Sequence, residues 1–181
     1  MRRLMAVLFA TVVVGCGIPF EAVPEAVDVD FAAAAEAGEP IPGDLAAVSI
    51  YLVRNDSLVS VTRDLPAPPT LEIVFESLLG SVTQPEQRAG LRTAIPRGTE
   101  TLTIDVNGAT LLVDLNREFA AVGGEEETLA VAQIVMTATG FDGIESVAFQ
   151  LEGVPTDVPV ANGALSVDPV GADDYGALIA P

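Results

Sequence analysis

"TLTIDVNGATLLVDL", residues 101–115, alternates apolar and polar side chains on both sides of Asn107-Gly108. A period of two is a strand signal, and Asn-Gly is a favoured two-residue hairpin turn. A turn on those two residues sets Val106 opposite Ala109, Ile104 opposite Leu111 and Leu102 opposite Val113. All six are apolar and share one face. The other face holds Thr101, Thr103, Asp105, Thr110 and Asp114, with Leu112 its only apolar member. The segment is expected to be a hairpin with one face on a core and the other in solvent.

Upstream of this hairpin, "VSIYLV" (Val48 to Val53) and "LVSVT" read as two strands joined at Asn55-Asp56. Thr70 is placed to cap a helix whose apolar residues Leu71, Val74, Phe75, Leu78 and Val82 recur at helical spacing, with Glu72 and Glu76 on the other side. "PEQRAGLRTAIP" adds a shorter helical or irregular segment, ended by a turn at Pro96-Arg97-Gly98.

Downstream, a second helix is expected from about Glu125 to Thr139, after Gly123-Gly124. Glu125, Glu126 and Glu127 suit the positive end of its dipole, a metal site being the rarer use of such a cluster. Its body is apolar on two sides: Leu129, Ala132 and Met136 on one, and Val131, Ile134, Val135 and Ala138 on the other. Both faces should be covered, one by the sheet and the other by the Leu71–Val82 helix or by a second molecule. "SVAFQL" reads as a strand, and "VPVANGALSV" as a hairpin around Asn162-Gly163, with Pro159 placing it at a sheet edge. The order of elements gives an α+β class: a mostly antiparallel sheet with two main helices packed on one face.

The N-terminus carries a different signal. Arg2 and Arg3 precede an apolar run from Leu4 to Val14, too short for the roughly 20 residues of a membrane-spanning helix. This is the charge order and length of a secretory signal. Val13-Val14-Gly15-Cys16 resembles a bacterial lipobox, and Cys16 is the only cysteine of the 181 residues. Residues 1–15 are therefore expected to be a lipoprotein signal peptide and Cys16 an acylated anchor to the membrane. Residues 16–43 supply a Pro-, Ala- and Glu-rich spacer, which as a flexible coil would reach roughly 30 Å. Residues 44–181 form one domain.

Composition removes several chemistries. The chain has 26 Asp and Glu against 8 basic residues, for a net charge of −18, and it has no His. All eight basic residues are Arg, so Lys is also absent. Signal cleavage would remove two Arg and make the charge more negative still. Such a chain is repelled by nucleic acid, which is not an expected partner. Without His, Lys or a free thiol there is no Ser-His-Asp device, no Schiff-base lysine and no cysteine nucleophile. No cofactor and no transition metal are expected. From Glu118 onward there are eleven acidic residues and no basic one. This reads as a solubilising surface, with a basic partner or Ca²⁺ as the functional alternative.

"SIYLVRNDSLVSVTRDLP", "TLEIVFESLLGSVTQPEQRAGLRTAIPRGT", "VNGATLLVDLNREF" and "EETLAVAQIVMTATGFDGIESVAFQLEG" together resemble successive blocks of a GerMN domain, the sporulation and germination type. The likeness runs from about Val48 to Val160, and "GLRTAIPRGT" with "LAVAQIVMTATGF" are its most diagnostic parts. The resemblance implies an extracytoplasmic, membrane-tethered domain without established catalysis, present here in one copy. It also implies a fold similar to the ring-building motifs of secretion and sporulation assemblies, which keeps homo-oligomer formation open. The expected function is a non-enzymatic, lipid-anchored module on the extracytoplasmic face of the cell membrane. It would bind an envelope partner, a protein or peptidoglycan, or contribute to an assembly. The alternative is an envelope glycan hydrolase or binder that uses surface carboxylates, with Asp105 and Asp114 as its acids.

Overall fold

The chain enters as a long hairpin, β1 (Leu45–Arg54) and β2 (Ser57–Pro66), in the computed structural model, which describes residues 43–180. Asn55 and Asp56 both take positive φ, 50° and 59°, as a tight I′ turn requires, and Arg54 faces Ser57 across it. Helix α1 (Leu71–Leu79) follows, with the Thr70 side chain accepting the Ile73 N–H. Val74, Phe75 and Leu78 are buried and Glu72 and Glu76 exposed, as the periodicity predicts. The helix stops at Gly80, so Val82 lies beyond it. A short helix α2 (Gln84–Arg88) is closed by a capping box between Thr83 and Glu86.

The 101–115 segment is a hairpin of β3 (Thr101–Asn107) and β4 (Thr110–Leu115), but in a different register from the expected one. The turn residues are Gly108 and Ala109. Asn107 faces Thr110, Val106 faces Leu111 and Ile104 faces Val113. Gly108 alone takes the positive φ, 63°. Tertiary bonds account for the shift: the Ala109 carbonyl accepts the N–H groups of Glu145 and Ser146 at 2.8 and 3.3 Å, so Ala109 belongs to the turn. Each partner moves by two residues, which preserves the faces. Leu111 and Val113 are buried as expected. Leu102 and Val106 are not: the register breaks between Thr101 and Thr103, where Leu102 is 50% exposed, and Val106, next to the turn on the outermost strand, is 45% exposed.

After a 3-10 turn at Arg117–Ala121, helix α3 runs from Glu125 to Ala138 and leads into β5 (Ser146–Leu151). The strand β5 lies parallel to β4, so the sheet is mixed at its centre. Its order is β3-β4-β5-β6, where β6 is Val154–Pro155, and β9 (Val170–Gly171) also pairs with β5. The Asn162-Gly163 hairpin is present as β7 (Val158–Pro159) and β8 (Leu165–Ser166), closed by Val160 N–H to the Ala164 carbonyl at 2.9 Å. It forms its own two-stranded sheet. The α+β class stands, with antiparallel pairing prevailing outside β4–β5.

Every residue of α3 from Leu129 to Ala138 is buried. Both apolar faces are therefore covered, and the main cover comes from the β1–β2 hairpin and from β5, β7 and β9 rather than from α1. Two polar residues inside this helix fix the arrangement. Thr137 Oγ1 accepts the Tyr51 N–H at 3.1 Å, and Gln133 Nε2 donates to the Tyr51 carbonyl at 2.8 Å. They satisfy the outer edge of β1, whose next outward residue, Val53, exchanges two hydrogen bonds with Arg92.

Candidate functional site

Cys16, the expected lipid anchor, lies outside the described residues. The two candidate acids lie within them, and one is not where alternation put it. Asp105 faces Leu112 and is exposed, whereas Asp114 faces Thr103 and is 7% exposed. The turn after β5 folds over Asp114, and its Oδ1 accepts the Gly153 N–H at 3.0 Å. The pair share a sheet face as diagonal neighbours, but Asp114 is committed to holding a turn. Among the described residues no three Asp or Glu side chains gather as a metal-binding group, and Glu125 to Glu127 occupy the first turn of α3.

One recess, about 660 Å³, lies where the segment Leu91–Gly98 faces the loop after α1. Each wall is held by bonds that can be traced residue by residue. On one side Arg92 pairs its backbone with Val53, at 2.8 and 2.9 Å, which continues the sheet edge of β1. Gln133 Oε1 accepts the Ala94 N–H at 2.7 Å, and Thr93 Oγ1 accepts the Ile95 N–H at 3.1 Å. The Pro96–Thr99 turn closes with Thr99 Oγ1 donating to the Pro96 carbonyl at 2.8 Å. The Arg92 guanidinium grips Glu126 with two bonds of 2.8 and 2.7 Å and reaches Asp56 at 3.1 Å. The hydrogen bonds that Arg92 donates to Glu126 outweigh partial burial and raise the Arg92 pKa further.

On the other side the loop is anchored by Arg63, which projects from β2. It donates to both Glu86 carboxylate oxygens, at 3.1 and 2.9 Å, and to the carbonyl and hydroxyl of Ser77. Glu86 also accepts the Thr83 N–H at 2.7 Å. Burial pushes the Glu86 carboxyl up, but the bonds from Arg63 and Thr83 prevail and hold it below the ordinary carboxylate range. Between these walls the recess shows half-buried Leu79, Val82, Leu91 and Pro96 over buried Ile95, with Gln87 and Arg97 at its rim. Arg97 is exposed and makes no ion pair among the described residues. Apolar and polar groups share this lining about equally, as they do at protein interfaces, which suits noncovalent recognition of an extended or flat partner.

A second recess, about 780 Å³, opens between the start of α3 and the β7–β8 turn. Leu129, Leu165 and Leu178 line it together with Asp56 and Glu125 to Glu127. Of these acids, Asp56 and Glu126 are already bound to Arg92. Sequence reasoning singled out the Leu91–Gly98 stretch through its likeness to a family but assigned it no site. It missed Gln133, which holds this stretch, Thr137, which holds the neighbouring β1, and Glu86, which anchors the opposite loop. The available signal was a Gln and a Thr four residues apart inside an otherwise apolar helix body.

The same α+β arrangement occurs in solved structures. The tandem GerMN domains of the sporulation protein GerM from Bacillus subtilis align with a TM-score of 0.58 at 22% identity, covering 72% of this chain and 47% of that one. This chain thus spans about half the length of the tandem structure. The first GerMN domain of the same protein aligns with a TM-score of 0.55 at 22% identity, over 71% of this chain and 98% of that one. No curated protein matches the chain in sequence. The Germane family model, described as "Sporulation and spore germination", matches residues 49–157. That is more than half of the chain, and it spans β1 to the turn beyond β6, including the whole Leu91–Gly98 wall: the protein belongs to the Germane (GerMN-type) family.

Proposed function

We propose that this protein is a non-enzymatic binding module, held on the extracytoplasmic face of the cell membrane by an acylated Cys16. Its domain engages an envelope partner, a protein or peptidoglycan, through the Leu91–Gly98 recess. The observation that carries this reading is where the buried polar side chains are used. Glu86, Thr99, Asp114, Gln133 and Thr137 each bond to a neighbouring backbone or to Arg63. The polar interior thus holds loops in place, and several of those bonds converge on the two walls of one recess. The anchor rests on the sequence: a charged start, a short apolar run and a small residue before Cys16. No helix among the described residues is long and apolar enough to cross a membrane. A spacer of the length read above would let the domain stand off the lipid surface.

Two experiments test the two halves separately. In the native host, wild type should partition into detergent phase and incorporate labelled fatty acid, while Cys16→Ser should do neither. A Cys16→Ser variant that stays labelled and membrane-bound refutes the anchor. Crosslinking from native membranes, with Leu91→Asp and Arg97→Glu compared with wild type, tests the recess. Unchanged crosslinks in both folded variants refute it as the binding surface.

A further inference from the structure

We propose that the outer edge of β3 is a docking site for an extended basic segment of a partner protein, which adds as a sixth strand to the sheet. This surface is separate from the Leu91–Gly98 recess, so either can fail while the other stands. The strand β3 is the terminal strand of the five-stranded sheet, and among the described residues only β4 bonds to its backbone. An unpaired edge is a template for another strand, and soluble proteins usually blunt it with Lys, Pro or a bulge. Here the register break is confined to the start, around Leu102, and Thr103 to Asn107 run in regular register without Pro, with Asp105 their one charge. The edge is also apolar where it meets solvent, with Leu102 50% and Val106 45% exposed.

Charge selects the occupant. Glu76 of α1 and Glu100 line one recess of about 360 Å³ at the start of the strand, together with Thr101. Asp105 sits on the strand itself, and Glu72 lies one turn before Glu76 on the exposed side of α1. None of these four carboxylates takes part in an ion pair among the described residues. A strand added here continues both faces of the sheet. Its inward side chains extend the face of Ile104 and Val106 and must be aliphatic. Its outward ones lie beside Thr103 and Asp105 and are best basic. A second copy fits worse, because two chains of net charge −18 would bring Asp105 towards Asp105.

The test uses the full-length protein in nonionic detergent and two labelled eight-residue peptides, one alternating Val with Lys and the other Val with Glu. The Val/Lys peptide should bind saturably and at least tenfold more tightly than Val/Glu, more weakly as salt rises, and should slow amide exchange across Leu102 to Asn107. Val106→Lys and Asp105→Lys should each weaken it at least tenfold, whereas Val154→Lys, on the opposite sheet edge, should not. Both β3 positions are exposed, so at least one variant should retain the wild-type circular dichroism. Equal binding of the two peptides, protection at β6 instead of β3, or β3 variants that bind like wild type would overturn the proposal. So would a concentration-dependent dimer in sedimentation that Val106→Lys abolishes, since a second copy would then hold the edge.

Discussion

Replacing Gln133 with Leu keeps the side-chain size and removes three hydrogen bonds, one from the Thr93 hydroxyl and two to backbone groups. Gln133 is fully buried, its Oε1 accepts the Ala94 N–H at 2.7 Å and its Nε2 donates to the Tyr51 carbonyl at 2.8 Å. The substitution strands one N–H and one C=O, at about 1–3 kcal/mol each. The extra apolar burial of Leu returns about 1 kcal/mol. The net loss is therefore about 1–5 kcal/mol, centred on about 3 kcal/mol. A domain of about 140 residues has an unfolding entropy near 0.3 kcal/mol/K, so 3 kcal/mol corresponds to a fall in Tm of about 10 °C. Thr137→Val strands only the Tyr51 N–H and should cost about 1–2 kcal/mol. Both side chains act on Tyr51, so the double variant should lose less than the two singles together. Thermal melts and urea titrations read these values, and amide exchange at Ala94 should accelerate in Gln133→Leu. If Gln133→Leu melts within about 2 °C of wild type, the helix does not clip β1 and the wall of the recess is held by other means.

Glu86 makes stability fall in acid. Its native pKa lies below the ordinary value, so its contribution is complete above pH of about 4.3 and is lost as pH falls through the lowered native value. Urea titrations from pH 7 to 2.5 should show that slope in wild type and a shallower one in Glu86→Gln, which at neutral pH should cost about 3 kcal/mol by leaving Arg63 unpaired in a half-closed site. Tyr175 is fully buried and donates to the Pro159 carbonyl at 2.9 Å, so Tyr175→Phe should cost about 1–2 kcal/mol in the same titrations. Burial, with the Asp174 charge adding to it, pushes the Tyr175 phenol above its ordinary range. Protons are then held more tightly in the native state, and stability should fall as pH rises past about 10. A spectrophotometric titration should show this phenol ionising only as the fold is lost.

Short-range chemistry made much of the fold legible. The Asn55-Asp56 turn, the Thr70 cap, the buried stripe of α1, the start of α3 after Gly124 and the span of β5 all follow from residues within one or two turns of each other. Long-range partners decided the rest. Asn107-Gly108 carries the strongest local turn signal in the chain, yet bonds from Glu145 and Ser146 to Ala109 move the turn by one residue. Strand alternation survives that shift because it displaces partners by an even number. The parallel pairing of β4 with β5 and the bridge between Arg92 and Val53 left no periodic trace, since each joins segments that are distant in sequence.

The candidate acids show the same limit. Alternation assigned Asp105 and Asp114 to one solvent face, and they do share a face. Solvent exposure, however, depends on what crosses that face. At Asp114 the Glu152-Gly153 turn crosses it, with Glu152 at φ 52° and Gly153 at φ 78°, and presents the Gly153 N–H to the carboxylate. A hydrolytic pair would need both carboxyl groups open to one substrate, about 5–10 Å apart. Asp114→Asn tests which role is real. As a turn anchor, Asn keeps an acceptor for the Gly153 N–H but loses the charge-assisted bond, so stability should drop by about 1 kcal/mol while partner binding is unchanged. Loss of a glycan-cleaving activity at unchanged stability would reverse that assignment and return Asp114 to the chemistry.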